Sequence, residues 1–152
     1  MKISDSHDRS DGGAGLILVG IDGSTTSLHA EAWAVGQARV RGSRLLGVFV
    51  VTHPAYAELA LGAGGDVPAD LGAGERAEEL LRDLRAQADA YHLDAEFLVR
   101  SGDPATEIER IADEYRADEL VVGASAQARH RLVGSVARRL VHSARWPVTV
   151  VP

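Results

Sequence analysis

Apolar residues gather in five short runs along the chain, at Leu16–Ile21, 45–51, 95–99, Glu119–Gly123 and 147–151. The runs are rich in Val, Leu and Ile and alternate little, the pattern of strands covered on both faces. Four stretches of helical spacing lie between them. The first is expected over Thr25–Arg41, with Ser24 as its N-cap and Leu28, Ala32, Val35 and Gly36 as its inner stripe. The second, over 75–92, aligns Ala77, Leu80, Leu81, Leu84, Ala88 and Tyr91 on one face, with Glu78 and Arg82 paired on the other.

The third helix has a defined start. Asp103 is placed to cap it, Pro104 suits the first helical position, and Ile108, Ile111, Ala112 and Tyr115 form its stripe. The fourth follows Gly134-Ser135, carries Val136, Ala137, Leu140, Val141 and Ala144 in register, and ends before Pro147. Residues 52–74, rich in Ala, Gly and Pro, read as a long functional loop with room for a short helix.

Strand and helix therefore alternate, which predicts an open α/β fold: a parallel sheet with helices on both faces, joined by right-handed crossovers. Ligands of such sheets bind beyond the carboxyl ends of the strands, where the strand order reverses. The loops after Ile21, Val51, Val99 and Gly123 are the places to search for a site.

Composition narrows the class. A length of 152 residues fits one domain, expected over 16–152 behind a disordered leader at 1–15. No apolar run approaches the ~20 residues that span a bilayer, so no membrane partner is expected. The leader lacks the apolar core of a signal peptide. There are no cysteines, which removes thiolate chemistry and disulfides and fits a cytoplasmic location. A net charge of −6 lacks the field of a general nucleic-acid binder, so no nucleic-acid partner is expected.

Two loops hold candidate chemistry. Gly20-Ile21-Asp22-Gly23-Ser24 follows the first run, and the Asp22 carboxylate either accepts hydrogen bonds from a ribose or base or orders the turn while Ser24 caps the helix. The segment from Gly123 to Ser135 follows the fourth run. Backbone N–H groups at the start of the next helix, the Ser135 hydroxyl, and Arg129, His130 and Arg131 suit a phosphate. The plainer reading is an ordinary helix start after a solvated basic loop.

Several short segments together resemble the universal stress protein family over nearly all of the chain from Leu16 to Val151. They are Ile17 to Ser24, Gly102-Asp103-Pro104 before Ile108, Ala117 to Gly123, Gly134-Ser135-Val136, and the ending Trp146 to Val151. The resemblance implies an adenine-nucleotide alpha hydrolase-like sheet in the order 3-2-1-4-5, with a homodimer formed through the last strand, 147–151. It implies a stress-response role. Members that bind ATP or another adenine nucleotide, with or without Mg2+, resemble Gly-x2-Gly-x9-Gly-Ser/Thr after the fourth strand. Here Gly123 and Gly134-Ser135 match, Ala126 replaces the second glycine, and seven residues separate Ala126 from Gly134.

Carried over by position, Gly20, Ile21 and Asp22 face adenine and ribose, and Gly123, Gly134, Ser135 and Val136 hold ribose and phosphates. Arg129 and Arg131 are placed to offset the loss at Ala126, since guanidinium pairs well with phosphate. The alternative is a member that has lost nucleotide binding and works through dimerisation and protein contacts.

Catalysis and metal binding have little support. The six histidines are scattered without ligand spacing. There is no Gly-x-Ser-x-Gly elbow, no Walker loop and no Gly-x-Gly-x-x-Gly after the first run. The chain is expected not to be an enzyme. Trp33 and Trp146 read as packing residues, and aromatics at 5% are too few for a base-stacking platform.

Overall fold

In the computed structural model of the protein the described residues are 14–52, 71–124 and 134–152. The leader expected at 1–15 falls outside them up to residue 13, as does most of the loop expected at 52–74. Five strands form the sheet: β1 (Leu16–Ile21), β2 (Arg44–Val51), β3 (Ala95–Ser101), β4 (Glu119–Gly123) and β5 (Val148–Val151). They pair in parallel in the order β3-β2-β1-β4-β5, as the family resemblance implied. β1 lies in the middle, and the strand order reverses between it and β4.

The helices described are α1 (Thr25–Arg41), α2 (Leu71–Ala90), α3 (Pro104–Tyr115) and α4 (Ser135–Ser143). Strand parity divides the core between the two faces. Leu16 and Leu18 of β1 pack with Leu46, Val48, Leu120 and the inner residues of α3 and α4. Ile17, Val19 and Ile21 pack with Phe49, Val121 and the inner residues of α1 and α2. A side-chain period of two on a central strand requires this division.

Local signals set the helix ends. The Ser24 hydroxyl accepts from the Ser27 N–H, and Gly42 closes α1 in the left-handed region at φ 65°. Asp103 caps α3 by accepting from the Thr106 N–H, with Pro104 at the first position.

The inner face of α1 departs from expectation. Ser27, Ala30, Glu31, Ala34, Val35 and Ala38 are buried, while Leu28 is 48% exposed and Ala32 is exposed. Small side chains let the helix axis come close to the sheet, and that close packing outweighs turning one leucine inward.

Other boundaries also shift. α2 begins at Leu71, within the segment expected to be loop, and ends at Ala90, so that Tyr91 sits in the following turn with Arg39 stacked over its ring at 4.8 Å. Val141 and Ala144 are exposed, because α4 is short and Ala144 forms its left-handed C-cap. β3 is only partly covered on both faces, with Glu96, Val99 and Ser101 exposed, because it is an edge strand. The last strand starts at Val148, though the Pro147 carbonyl still accepts from the Leu120 N–H. Among the described residues no helix is long and apolar enough to cross a membrane.

Candidate functional site

The turn after β1 is built by three short side chains. The Ser24 N–H donates to Asp22 Oδ1 at 2.8 Å, and Gly23 takes φ 78°, a left-handed conformation that a side chain would strain. Asp22 thus does order the turn, while its carboxylate stays exposed to solvent. The Asp22 N–H donates to Ser27 Oγ at 3.1 Å, and the Ser27 hydroxyl donates to Glu31 Oε1 at 3.3 Å.

β4 ends directly against this turn. A side chain on Gly123 would begin 2.6 Å from the Thr26 carbonyl carbon and 2.7 Å from the Ser27 nitrogen. Glycine is required there for the approach of α1 to the sheet. The Thr26 hydroxyl then donates to the Ala124 carbonyl, and the Ala124 N–H donates to the Val151 carbonyl at 2.7 Å.

These contacts shape a cavity of about 200 Å³ at the carboxyl ends of β1, β2 and β4, at the reversal of strand order. Val48, Val50, Ile108 and Val122 form its apolar wall, with Pro104 of α3 and Val136 of α4 closing the side. Gly20 keeps it open, since a side chain there would meet Ile108 and Val122 at 3.1 and 3.3 Å. Asp22, Ser27 and Thr52 supply its polar edge. An apolar wall with a few convergent polar groups suits a planar heterocycle carrying hydroxyl groups.

Gly20, Ile21, Asp22, Gly123 and Val136, which the family resemblance assigns to a nucleotide, all line this cavity. Gly134 is the N-cap residue of α4 at an ordinary φ of −58°, and Ser135 is the exposed first residue of that helix; neither lines the cavity. Ala126, Arg129 and Arg131 fall outside the described residues. Sequence reasoning missed Ser27, Val48, Val50, Thr52, Pro104 and Ile108. Thr52 had a signal, since it follows the carboxyl end of a strand. Ser27 had a weaker one in its spacing from Ser24 and Glu31.

Two charged groups shape the surroundings. Glu31 is 1% exposed, and burial pushes its carboxyl from 4.5 up to about 7. The Ser27 hydrogen bond opposes that rise, and the negative charges of Asp22 and Asp83 add to it. Asp103, beside the cavity at the start of α3, accepts from the Thr106 hydroxyl at 2.6 Å and from Arg139 Nη1 at 2.5 Å. The Thr106 hydroxyl, burial-opposed, is the main influence that holds its carboxyl below the usual value, with Arg139 assisting. Arg139 thereby ties α4 to the cap of α3.

Larger hollows of about 490 and 400 Å³ lie at the opposite end of the sheet. Their polar groups serve each other: Arg41 pairs with Glu119 at 2.6 Å, Asp118 accepts from the Leu16 N–H, and Arg44 pairs with Asp94 and Glu96. They offer a ligand little that is not already engaged.

Residues 15–152 match the model of the Universal stress protein family. A universal stress protein of Methanocaldococcus jannaschii is 28% identical over 137 residues, covering 89% of this chain and 80% of the relative. Among solved structures, a universal stress protein family member from Burkholderia pseudomallei is 27% identical with a TM-score of 0.67, covering 91% of this chain and 96% of that one. A universal stress protein in complex with cAMP superposes with a TM-score of 0.69 at 24% identity, covering 91% and 97%. One from Archaeoglobus fulgidus in complex with dAMP has a TM-score of 0.64 at 23% identity, covering 91% and 98%. The last two likenesses are ones of fold.

Proposed function

The chain belongs to the universal stress protein family, and we propose that it serves there as a binding module for an adenine nucleotide, acting as a sensor or signal carrier in the cytoplasm rather than as an enzyme. The observation that carries this reading is the cavity at the reversal of strand order, where Gly20, Ile21, Asp22, Gly123 and Val136 converge from three parts of the chain. Its apolar wall takes the base, and the free face of Asp22 accepts from ribose hydroxyls. Relatives of the same fold solved with cAMP and with dAMP support the class of ligand.

At about 200 Å³ the cavity is smaller than the roughly 300–1,000 Å³ that encloses a whole drug-sized ligand. It takes base and sugar, and the phosphates extend past Val136 toward Gly134 and Ser135 at the start of α4, where N–H groups favour an anion. Mg2+ with ATP would sit among those phosphates. The test is isothermal titration with ATP, with and without Mg2+, and with AMP and cyclic AMP. Micromolar binding, lost about tenfold or more in Asp22→Ala, is the expected result. An affinity untouched by that change refutes the assignment of the sugar site.

A second role rests on β5. Among the described residues it pairs only with β4, and all four of its residues remain partly exposed. An apolar edge of this kind is a liability unless it is covered. Homodimerisation along this edge covers it, and the same contact serves a protein partner if the nucleotide site is silent.

A further inference from the structure

Ser27 belongs to two environments at once. The residue lines the cavity, and its hydroxyl is the link between the Asp22 N–H and the Glu31 carboxyl. Both Ser27 and Glu31 are almost fully buried, at 2% and 1% exposure. A hydroxyl has one hydrogen to give and two lone pairs to offer. With Glu31 ionised, that hydrogen is committed to Oε1, and the cavity meets only a lone pair beside a buried negative charge. With Glu31 protonated, the carboxyl O–H donates to Ser27 Oγ, the Asp22 N–H occupies the other lone pair, and the Ser27 hydrogen is free to point into the cavity.

We infer that Glu31 is a positioning residue of the cavity, which turns the Ser27 hydroxyl toward or away from the ligand and so couples nucleotide binding to the uptake of a proton. The inference rests on the nucleotide reading and adds its regulation. Two effects act in the same direction. The ligand's phosphates repel the Glu31 carboxylate from across the cavity, and filling the cavity removes water from its neighbourhood. Each raises the proton affinity of Glu31 in the complex, and linkage then requires tighter binding at lower pH.

The surroundings of Glu31 do not neutralise it. Asp22 stands in the turn above and Asp83 on α2, both negative. β1, β2 and β4 pack beneath α1 with apolar residues, among them Val19, Phe49 and Val121. Arg76 of α2 lies over Gly23, but Glu31 has no ion pair with it among the described residues. Among the described residues no histidine lines the cavity, and the comparison with Glu31→Gln separates Glu31 from any other titrating group.

The experiment is titration calorimetry of wild type and Glu31→Gln with MgATP, AMP and cyclic AMP, in buffers of different ionisation enthalpy, at pH values from about 6 to about 8.5. The phosphates of ATP and AMP titrate alike against both proteins and cancel in the comparison. Cyclic AMP carries a phosphodiester that does not titrate in this range, so uptake with that probe comes from the protein, and uptake that persists in a His53→Ala, His130→Ala double variant is decisive even if Glu31→Gln fails to fold. Uptake of roughly half a proton near neutral pH, and a roughly tenfold loss of affinity across the range, are expected for wild type. In Glu31→Gln both should vanish with cyclic AMP and fall to the contribution of the phosphates with MgATP and AMP. Binding without proton uptake, or with the same pH profile in both proteins, overturns the inference and leaves the nucleotide reading standing. No binding of any of the three nucleotides at any pH overturns that reading and the inference with it.

Discussion

Replacing Glu31 by Gln isolates the stability that the fold gives up to keep a carboxyl in its core. The amide has the same shape, retains a donor for Ser27 Oγ, and carries no charge at any pH. Burial raises the Glu31 carboxyl from 4.5 to about 7. Each tenfold change in proton affinity is worth roughly 1.4 kcal/mol, so the ionised form destabilises the native state by about 3 kcal/mol. The direction follows from proton counting. Below pH 4.5 the carboxyl is protonated in folded and unfolded chains alike, and no penalty exists. As pH rises above that value the unfolded chain releases a proton that the folded chain retains, so stability declines. Above about 7 both forms are ionised and the full penalty is present.

Urea unfolding of both proteins at about pH 4.5 and pH 8.5 reads this directly. The two should be nearly equally stable at the lower pH, and Glu31→Gln more stable by about 3 kcal/mol at the higher one. In a domain of this size that corresponds to a rise of roughly 6–10 °C in Tm. Other titrating groups are shared and cancel in the difference. A difference that does not change with pH, or a variant less stable at pH 8.5, refutes the argument that burial dominates at this position.

Two further expectations concern the frame of the site. Gly123→Ala brings a methyl group against the Thr26 backbone, which cannot rotate aside; a loss of roughly 1–3 kcal/mol by denaturant unfolding is expected, and a neutral result contradicts the close approach described. If β5 forms the proposed homodimer, Val150→Lys, which also gives up the packing of Val150 on the core, should shift sedimentation from dimer to monomer at some cost in stability; a folded variant that remains dimeric removes β5 from the interface.

Much of the fold was legible because strands at the centre of a parallel sheet are apolar on both faces. The bounds of β1 and β4 follow from that alone, and the caps Ser24 and Asp103 mark their helices for equally local reasons. The face of α1 was not legible. Hydrophobicity favours Leu28 as an inner residue, but packing favours alanine wherever a helix must lie close, and Ala30, Ala34 and Ala38 are fully buried. Misplacing that face conceals Glu31, because a glutamate on a helix reads as solvent-facing until its neighbours are known to be inside. Asp22 could be placed at the cavity because it adjoins a strand end, and Val136 came from the family resemblance. The wall formed by Val48, Val50 and Ile108 could not, since its residues differ in no local way from the rest of the core.

The pairing of β1 with β4, rather than with β3, has a consequence for a chain made from one end. Ile17 and Val19 find Glu119 and Val121 only after about a hundred residues of intervening chain have emerged. The earlier units, β1-α1-β2 and α2-β3, can pair and bury one face of their strands during synthesis, but the cavity has no second wall until Val122 and Gly123 arrive. The cavity is thus completed late as the chain is made, once Val136 of α4 closes its side. A ribosome-bound fragment that ends before Glu119 carries Gly20, Ile21 and Asp22 but lacks the Val122, Gly123 and Val136 that complete the cavity.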